Sequence, residues 1–243
     1  MVLTIELKKV KSRICVLNIE PELHHLNYNS FCMIMKASPK KTRKEKEVEQ
    51  RKSYIMACAE ELFAELGYNN ASLVMIAEKS EFAVGSVYNF FNSKNDIFNA
   101  IILQKLNEAS ERVFAISDKN IPADSKIKGV IAVSFDFFSR NESFVKIYLY
   151  ELTRLGWGLP TDLSDEVGTR LFGIISKLED MIIQGQKENV LRNDIDYQRI
   201  TMTFLQITIS YLAFWIKEEK TTDLNSYSDE MYEIFMNGIG ARK

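Results

Sequence analysis

Residues 72–91 read SLVMIAEKSEFAVGSVYNFF, and the spacing in this stretch decides the fold. Ser72 stands as an N-cap ahead of Leu73, Ile76 and Ala77, which share one face of a short helix. Residues 80–83 read as a tight turn, after which Val84, Val87, Tyr88 and Phe91 resume helical spacing. Two short helices joined by about four residues and braced by longer ones form a helix-turn-helix. DNA imposes that spacing, because the first helix crosses the backbone while the second lies in the major groove. The reading places the motif at 72–90.

Working outward, Ile55, Ala59, Leu62, Phe63 and Leu66 form the apolar stripe of an amphipathic helix, and Gly67 stands where a C′ glycine would end it. Downstream, Ser93 can cap a further helix carrying Ile97, Phe98, Ile101, Ile102 and Leu106 and running from Lys94 to about Ser117. The remainder reads as helices at 123–139, 143–155, 163–188, 196–218 and 227–237. Gly156, Gly158 and Pro160 mark one break, and 189–194 marks another. Four prolines and ten glycines in 243 residues suit long helices, and no strand pattern or internal repeat is evident. The expected fold is all-α.

The run 55–94, IMACAEELFAELGYNNASLVMIAEKSEFAVGSVYNFFNSK, resembles the DNA-binding domain of the TetR family. Ala59, Leu62 and Phe63, Gly67 and Tyr68, Ser72, Ile76 and Ala77, Gly85, Val87 and Tyr88, Phe91, Ser93 and Lys94, and then Ile97 carry the likeness. One position departs: Glu81 stands where the family usually has the turn glycine, which tolerates positive φ cheaply. The resemblance implies an N-terminal three-helix helix-turn-helix domain and a C-terminal helical ligand-binding and dimerisation domain. The expected division is 1–45 as leader and basic arm, 46–100 as DNA-binding domain and 101–243 as the rest.

The resemblance further implies a ligand-responsive transcriptional regulator, a repressor that binds a palindromic double-stranded operator as a homodimer. Expected DNA contacts are Ala83, Val84, Gly85, Ser86 and Asn89 at the groove and Tyr88, Lys94 and Ser72 at phosphates. Arg51 and Lys52 are added as the cations nearest the first helix. A small apolar ligand is expected among aromatics of the C-terminal half: Phe138, Tyr148, Trp157, Phe172, Phe204 and Tyr211. The last two helices are expected to pair with a twin subunit, through a stripe of Ile200, Phe204, Ile207, Tyr211 and Phe214.

Net charge is −2, but residues 36–52 hold eight cations against three anions, so the rest of the chain is net acidic. That segment reads either as an arm that adds salt-dependent affinity for DNA or as a solvated tail. Met33 and Met35 precede it and offer later starts for the chain, which N-terminal sequencing decides. Cys15, Cys32 and Cys58 show no framework spacing, which fits a reducing cytosol. No run approaches the roughly 18 apolar residues of a membrane span, and no signal peptide is evident. The only histidines, His24 and His25, match no zinc pattern. With no metal-spaced set, nucleophile motif or glycine-rich phosphate loop, neither a cofactor nor an enzymatic activity is expected. The alternative reading is a helical protein-interaction module that has lost DNA binding.

Overall fold

The structure, a computed structural model, describes residues 42–154, 164–218 and 222–239, and every regular element among them is helical. In chain order these are α1 (Arg43–Leu66), α2 (Leu73–Lys79), α3 (Val84–Tyr88), α4 (Lys94–Ser117), α5 (Ala123–Ser139), α6 (Glu142–Arg154), α7 (Asp165–Lys187) and α8 (Tyr197–Lys217). A 3₁₀ turn (Leu224–Tyr227) then leads into α9 (Ser228–Ile239). The chain divides into two compact units, Met1–Lys46 and Glu47–Lys243.

The described end of the first unit opens α1 with a capping box. The Thr42 hydroxyl accepts from the Glu45 N–H at 3.3 Å, and the Glu45 carboxylate accepts from the Thr42 N–H at 2.7 Å. This cap starts the helix at Arg43, well ahead of the apolar stripe that begins at Ile55, and 43–54 stay exposed along it. Residues 43–52 are therefore helical rather than an irregular arm.

Within the second unit the buried side chains form two clusters. One gathers Ile55, Ala59 and Phe63 of α1, Ile76 and Ala77 of α2, Val87 of α3, Phe91, and Ile97, Phe98 and Ile101 of α4. Ile147 of α6 completes it. The other joins Val113 of α4 to Ile127, Val130, Ile131 and Phe135 of α5, Leu178, Met181 and Ile182 of α7, Ile200, Phe204, Leu212 and Trp215 of α8, and Met231 and Phe235 of α9. α4 thus supplies both cores, and so does α6, whose Val145 lies in the second cluster and Ile147 in the first. Polar contacts reinforce this. The Lys105 ammonium of α4 lies 3.3 Å from the Glu60 carboxylate of α1 and donates to Asn141 at the α5–α6 corner at 2.7 Å.

α8 corrects one expectation. It is long and apolar enough to cross a membrane by length and composition, because Thr, Gln and Ser interrupt its apolar residues without adding charge. Ile200, Phe204, Leu212 and Trp215 on one side of it are buried in the chain's own core.

Three helix ends need left-handed backbone. α1 stops at Gly67, φ +78°, whose N–H donates to the Phe63 carbonyl. α7 stops at Asn189, φ 57°, with Val190 N–H bonded to the Gly185 carbonyl. α2 stops at Glu81, φ 57°: the Phe82 N–H reaches the Ala77 carbonyl at 3.0 Å and the Glu81 N–H reaches Glu78 at 3.1 Å, a complete Schellman pair. The turn thus demands the conformation for which the resembling family uses glycine. A β-carbon in this region costs roughly 1–2 kcal/mol, partly offset by the greater freedom glycine has when unfolded.

Glu81→Gly is therefore expected to stabilise the fold by about 1 kcal/mol in urea melts, and an unchanged or lower midpoint would contradict the strain. Gly67→Ala is expected to destabilise it by about 1–2 kcal/mol. There the added β-carbon also comes within 3.2 Å of the Tyr150 ring of α6, so the same melts should show a loss.

Candidate nucleic-acid interface

α3 has only five residues, too few to be stable alone, so its placement rests on what anchors it. Val87 is fully buried and Phe91, just beyond its end, is nearly so, while the Asn89 N–H bonds back to Gly85 and Ser86. Both residues are core, as the sequence spacing requires. The anchor turns the opposite side outward: Ala83, Gly85, Tyr88 and Asn89 are exposed, and Val84 and Ser86 are half-buried. Tyr88 is 53% exposed, unusual for so large a ring. A β-carbon at Gly85 would meet nothing within 4 Å, so no packing inside the chain requires glycine there.

α2 is positioned by its caps. The Ser72 hydroxyl accepts from the Met75 N–H at 3.2 Å, and the Ser80 hydroxyl, buried at the other end, donates to the Ile76 carbonyl at 2.6 Å. At the start of α4 the Ser93 hydroxyl caps the Asp96 N–H while the Asp96 carboxylate accepts from the Asn92 N–H. Arg51 and Lys52 are exposed on α1, and the Lys52 ammonium lies 5.7 Å from the Phe91 ring centre, on the α3 side of the motif. Tyr54 is also exposed, its ring 6.5 Å from that of Phe82 in the turn. Sequence spacing does not single it out, since it lies just outside the apolar stripe of α1.

Lys94 does not take the place the sequence suggests. Its ammonium turns inward and donates to the carbonyls of Tyr68 at 2.7 Å, Ala71 at 2.8 Å and Asn69 at 3.4 Å. It also sits 4.3 Å from the Tyr68 ring centre, and burial holds it below the ordinary lysine range. In this DNA-free structure the ammonium is thus engaged within the chain.

Of the six aromatics expected to hold a ligand, the five among the described residues do not converge on one site. Phe204 is packed edge-on against Phe235 in the core, Phe172 is 65% exposed on α7, and Tyr211 donates to Glu230 at 2.7 Å. Trp157 lies outside the described residues, as do His24, His25, Cys15 and Cys32. Phe138 and Tyr148 do belong together, at the two ends of one aromatic run. Phe138 meets Phe137 at 5.3 Å, Phe137 meets Phe144 at 6.1 Å, and Phe144 stacks on Tyr148 at 6.2 Å. Burial pushes the Tyr148 phenol up. The stripe on α8 also divides: Ile200 and Phe204 are in the chain's own core, Ile207 and Tyr211 are half-buried, and Phe214 is exposed. Met202 of α8 and Ile234 of α9 are exposed apolar residues that the stripe did not include.

Residues 55–101 match the family described as bacterial regulatory proteins, tetR family. The chain is 21% identical over 185 residues to the fatty acid metabolism regulator protein of Bacillus subtilis (strain 168), spanning 76% of this chain and 93% of that one. The fold superposes on the crystal structure of the regulator FadR from Bacillus subtilis in complex with stearoyl-CoA, with a TM-score of 0.67, 21% identity, and 77% and 98% of the two chains covered. It matches the ketosteroid transcriptional regulator KstR2 of Mycobacterium tuberculosis equally well, with a TM-score of 0.67, 21% identity, and 79% and 96% covered. Residues 55–101 thus carry the signature of the tetR family of bacterial regulatory proteins, set in the helix-turn-helix of α2 and α3.

Proposed function

We propose that the chain is a ligand-responsive repressor that binds a palindromic operator as a homodimer and leaves it when a small apolar ligand binds. The observation that carries this reading is the anchored α3: Val87 and Phe91 fasten it to the core while Ala83, Gly85, Tyr88 and Asn89 face outward. Asn89 and Ser86 offer hydrogen bonds to base edges, and Ala83 and Val84 can meet thymine methyl groups. Open space at Gly85 permits close approach of the helix backbone. Tyr88, Ser72, Arg51 and Lys52 supply phosphate contacts, which set position and salt dependence rather than sequence.

In this reading, 46–100 is the DNA-binding domain and 101–243 binds ligand and twin subunit. The exposed Phe214, Met202 and Ile234 on α8 and α9 support pairing there, because a lone subunit would leave them in water. Two-fold pairing sets the recognition helices about 34–36 Å apart, in successive major grooves. The relatives' names point to fatty-acid and steroid chemistry, so an acyl thioester or a steroid is the ligand class to test first. The run Phe138–Phe137–Phe144–Tyr148 is the apolar wall assigned to it. A ligand shifts the dimer only by binding the DNA-free arrangement more tightly than the DNA-bound one. A DNA-binding role of this kind supports a cytoplasmic location.

Operator binding should be measured on DNA upstream of the protein's own gene across a salt series. Tyr88→Ala is expected to weaken binding to every sequence alike, and Asn89→Ala to relax discrimination at one base pair by about 1–3 kcal/mol. Absence of saturable binding at any salt would favour the interaction-module reading instead. Long-chain acyl-CoA titrated into the complex is expected to release the DNA, and Phe138→Ala to raise the concentration required. An operator affinity that no acyl-CoA or steroid changes would sink the ligand-responsive part.

A further inference from the structure

We infer that Lys94 is a positioning residue for operator binding, a clamp that holds the turn between α1 and α2 against the start of α4, and not a phosphate ligand. The inference rests on the DNA-binding reading and refines it. A lysine ammonium has three N–H donors and no acceptor. In this structure the three carbonyls of Tyr68, Asn69 and Ala71 converge on it, so no donor remains for a phosphate oxygen.

Each of those carbonyls belongs to residues 68–71, the short loop that leaves Gly67 and runs into the Ser72 cap of α2. The loop's own hydrogen bonds include the Ala71 N–H to the Gly67 carbonyl at 3.3 Å and the Asn70 amide to the Leu66 carbonyl at 2.9 Å. Tyr68 is gripped from both sides, by the ammonium over its ring and by Phe63 and Phe98 at 5.5 and 4.8 Å between ring centres. Because α2 begins at the end of this loop, the clamp sets the height and angle at which the helix-turn-helix leaves α1. The charge also answers a need of the fold. Three loop carbonyls gather there outside any helix, and a cation is the strongest partner for them.

The two roles part in experiment. A phosphate ligand contributes about 0.9 to the slope of log affinity against log salt, whereas a clamp contributes nothing to it. Lys94→Met keeps the apolar stem and removes the charge. It is expected to lower operator affinity about tenfold at every salt concentration with an unchanged slope, in protein still folded at the assay temperature. Its melting temperature should fall below that of the natural chain. Arg51→Ala, the comparison, is expected to lower the slope. A slope lowered by about one in Lys94→Met, or an affinity left unchanged, would overturn the clamp.

If Lys94→Met does not fold, lysine acetylation of the natural chain, read by mass spectrometry with and without operator DNA, decides the matter. A clamp leaves Lys94 protected in both states. Reactivity in the free protein and protection in the complex would identify a phosphate ligand. The footprint of the free protein needs no DNA, so it judges the clamp even if the chain binds no operator, an outcome that would sink only the broader reading.

Discussion

The outward presentation of α3 depends on the burial of Val87 and Phe91. A five-residue helix has almost no stability of its own, since nucleation costs more than one turn of hydrogen bonds returns. Burying two apolar side chains contributes roughly 2–3 kcal/mol each, enough to hold the segment in one place. The same contact decides which residues are free, because a helix with one face committed has only the opposite face to offer. Tyr88 and Asn89 are outward as a consequence of Val87 being inward.

The next constraint is the continuity of α4. Ile97, Phe98 and Ile101 belong to the core of the helix-turn-helix, and Val113 belongs to the core of the C-terminal bundle. No glycine or proline interrupts the helix between them. A second connection runs through α6, whose Ile147 sits in the N-terminal core and whose Tyr150 ring covers Gly67. Lys105, bonded to α1 and to the α5–α6 corner, lies between the two. The halves are thus joined by packed side chains and by a half-buried ion pair.

Much of this was legible in the sequence because the signals are local. Ser72 and Ser93 cap the helices their spacing assigns to them, Gly67 ends α1, and α4 and α5 begin and end where periodicity places them. The early start of α1 was also local, written in Thr42 and Glu45, but a charged run masks a capping box when only apolar spacing is followed. The cost of Glu81 could be anticipated from a missing glycine. The orientation of Lys94 could not, since its carbonyl partners lie 23 to 26 positions earlier in the chain and become neighbours only after folding. The placement of the aromatics was hidden for the same reason. Helical spacing shows that Phe172 and Phe204 each lie on an apolar face, but which face is covered depends on helices far away in sequence.

The ring of Tyr150 against Gly67 has a thermodynamic consequence. Any coupling that this contact carries between the two halves is reciprocal, so that each site feels the occupancy of the other to the same degree. If a ligand in the bundle weakens the operator by some factor, the operator weakens the ligand by that factor too. The promoter then acts as a competitor inside the cell: protein resting on DNA is less sensitive to the signal than protein free in solution. For such a regulator, the concentration at which genes respond would depend jointly on ligand affinity and on the number of operator copies.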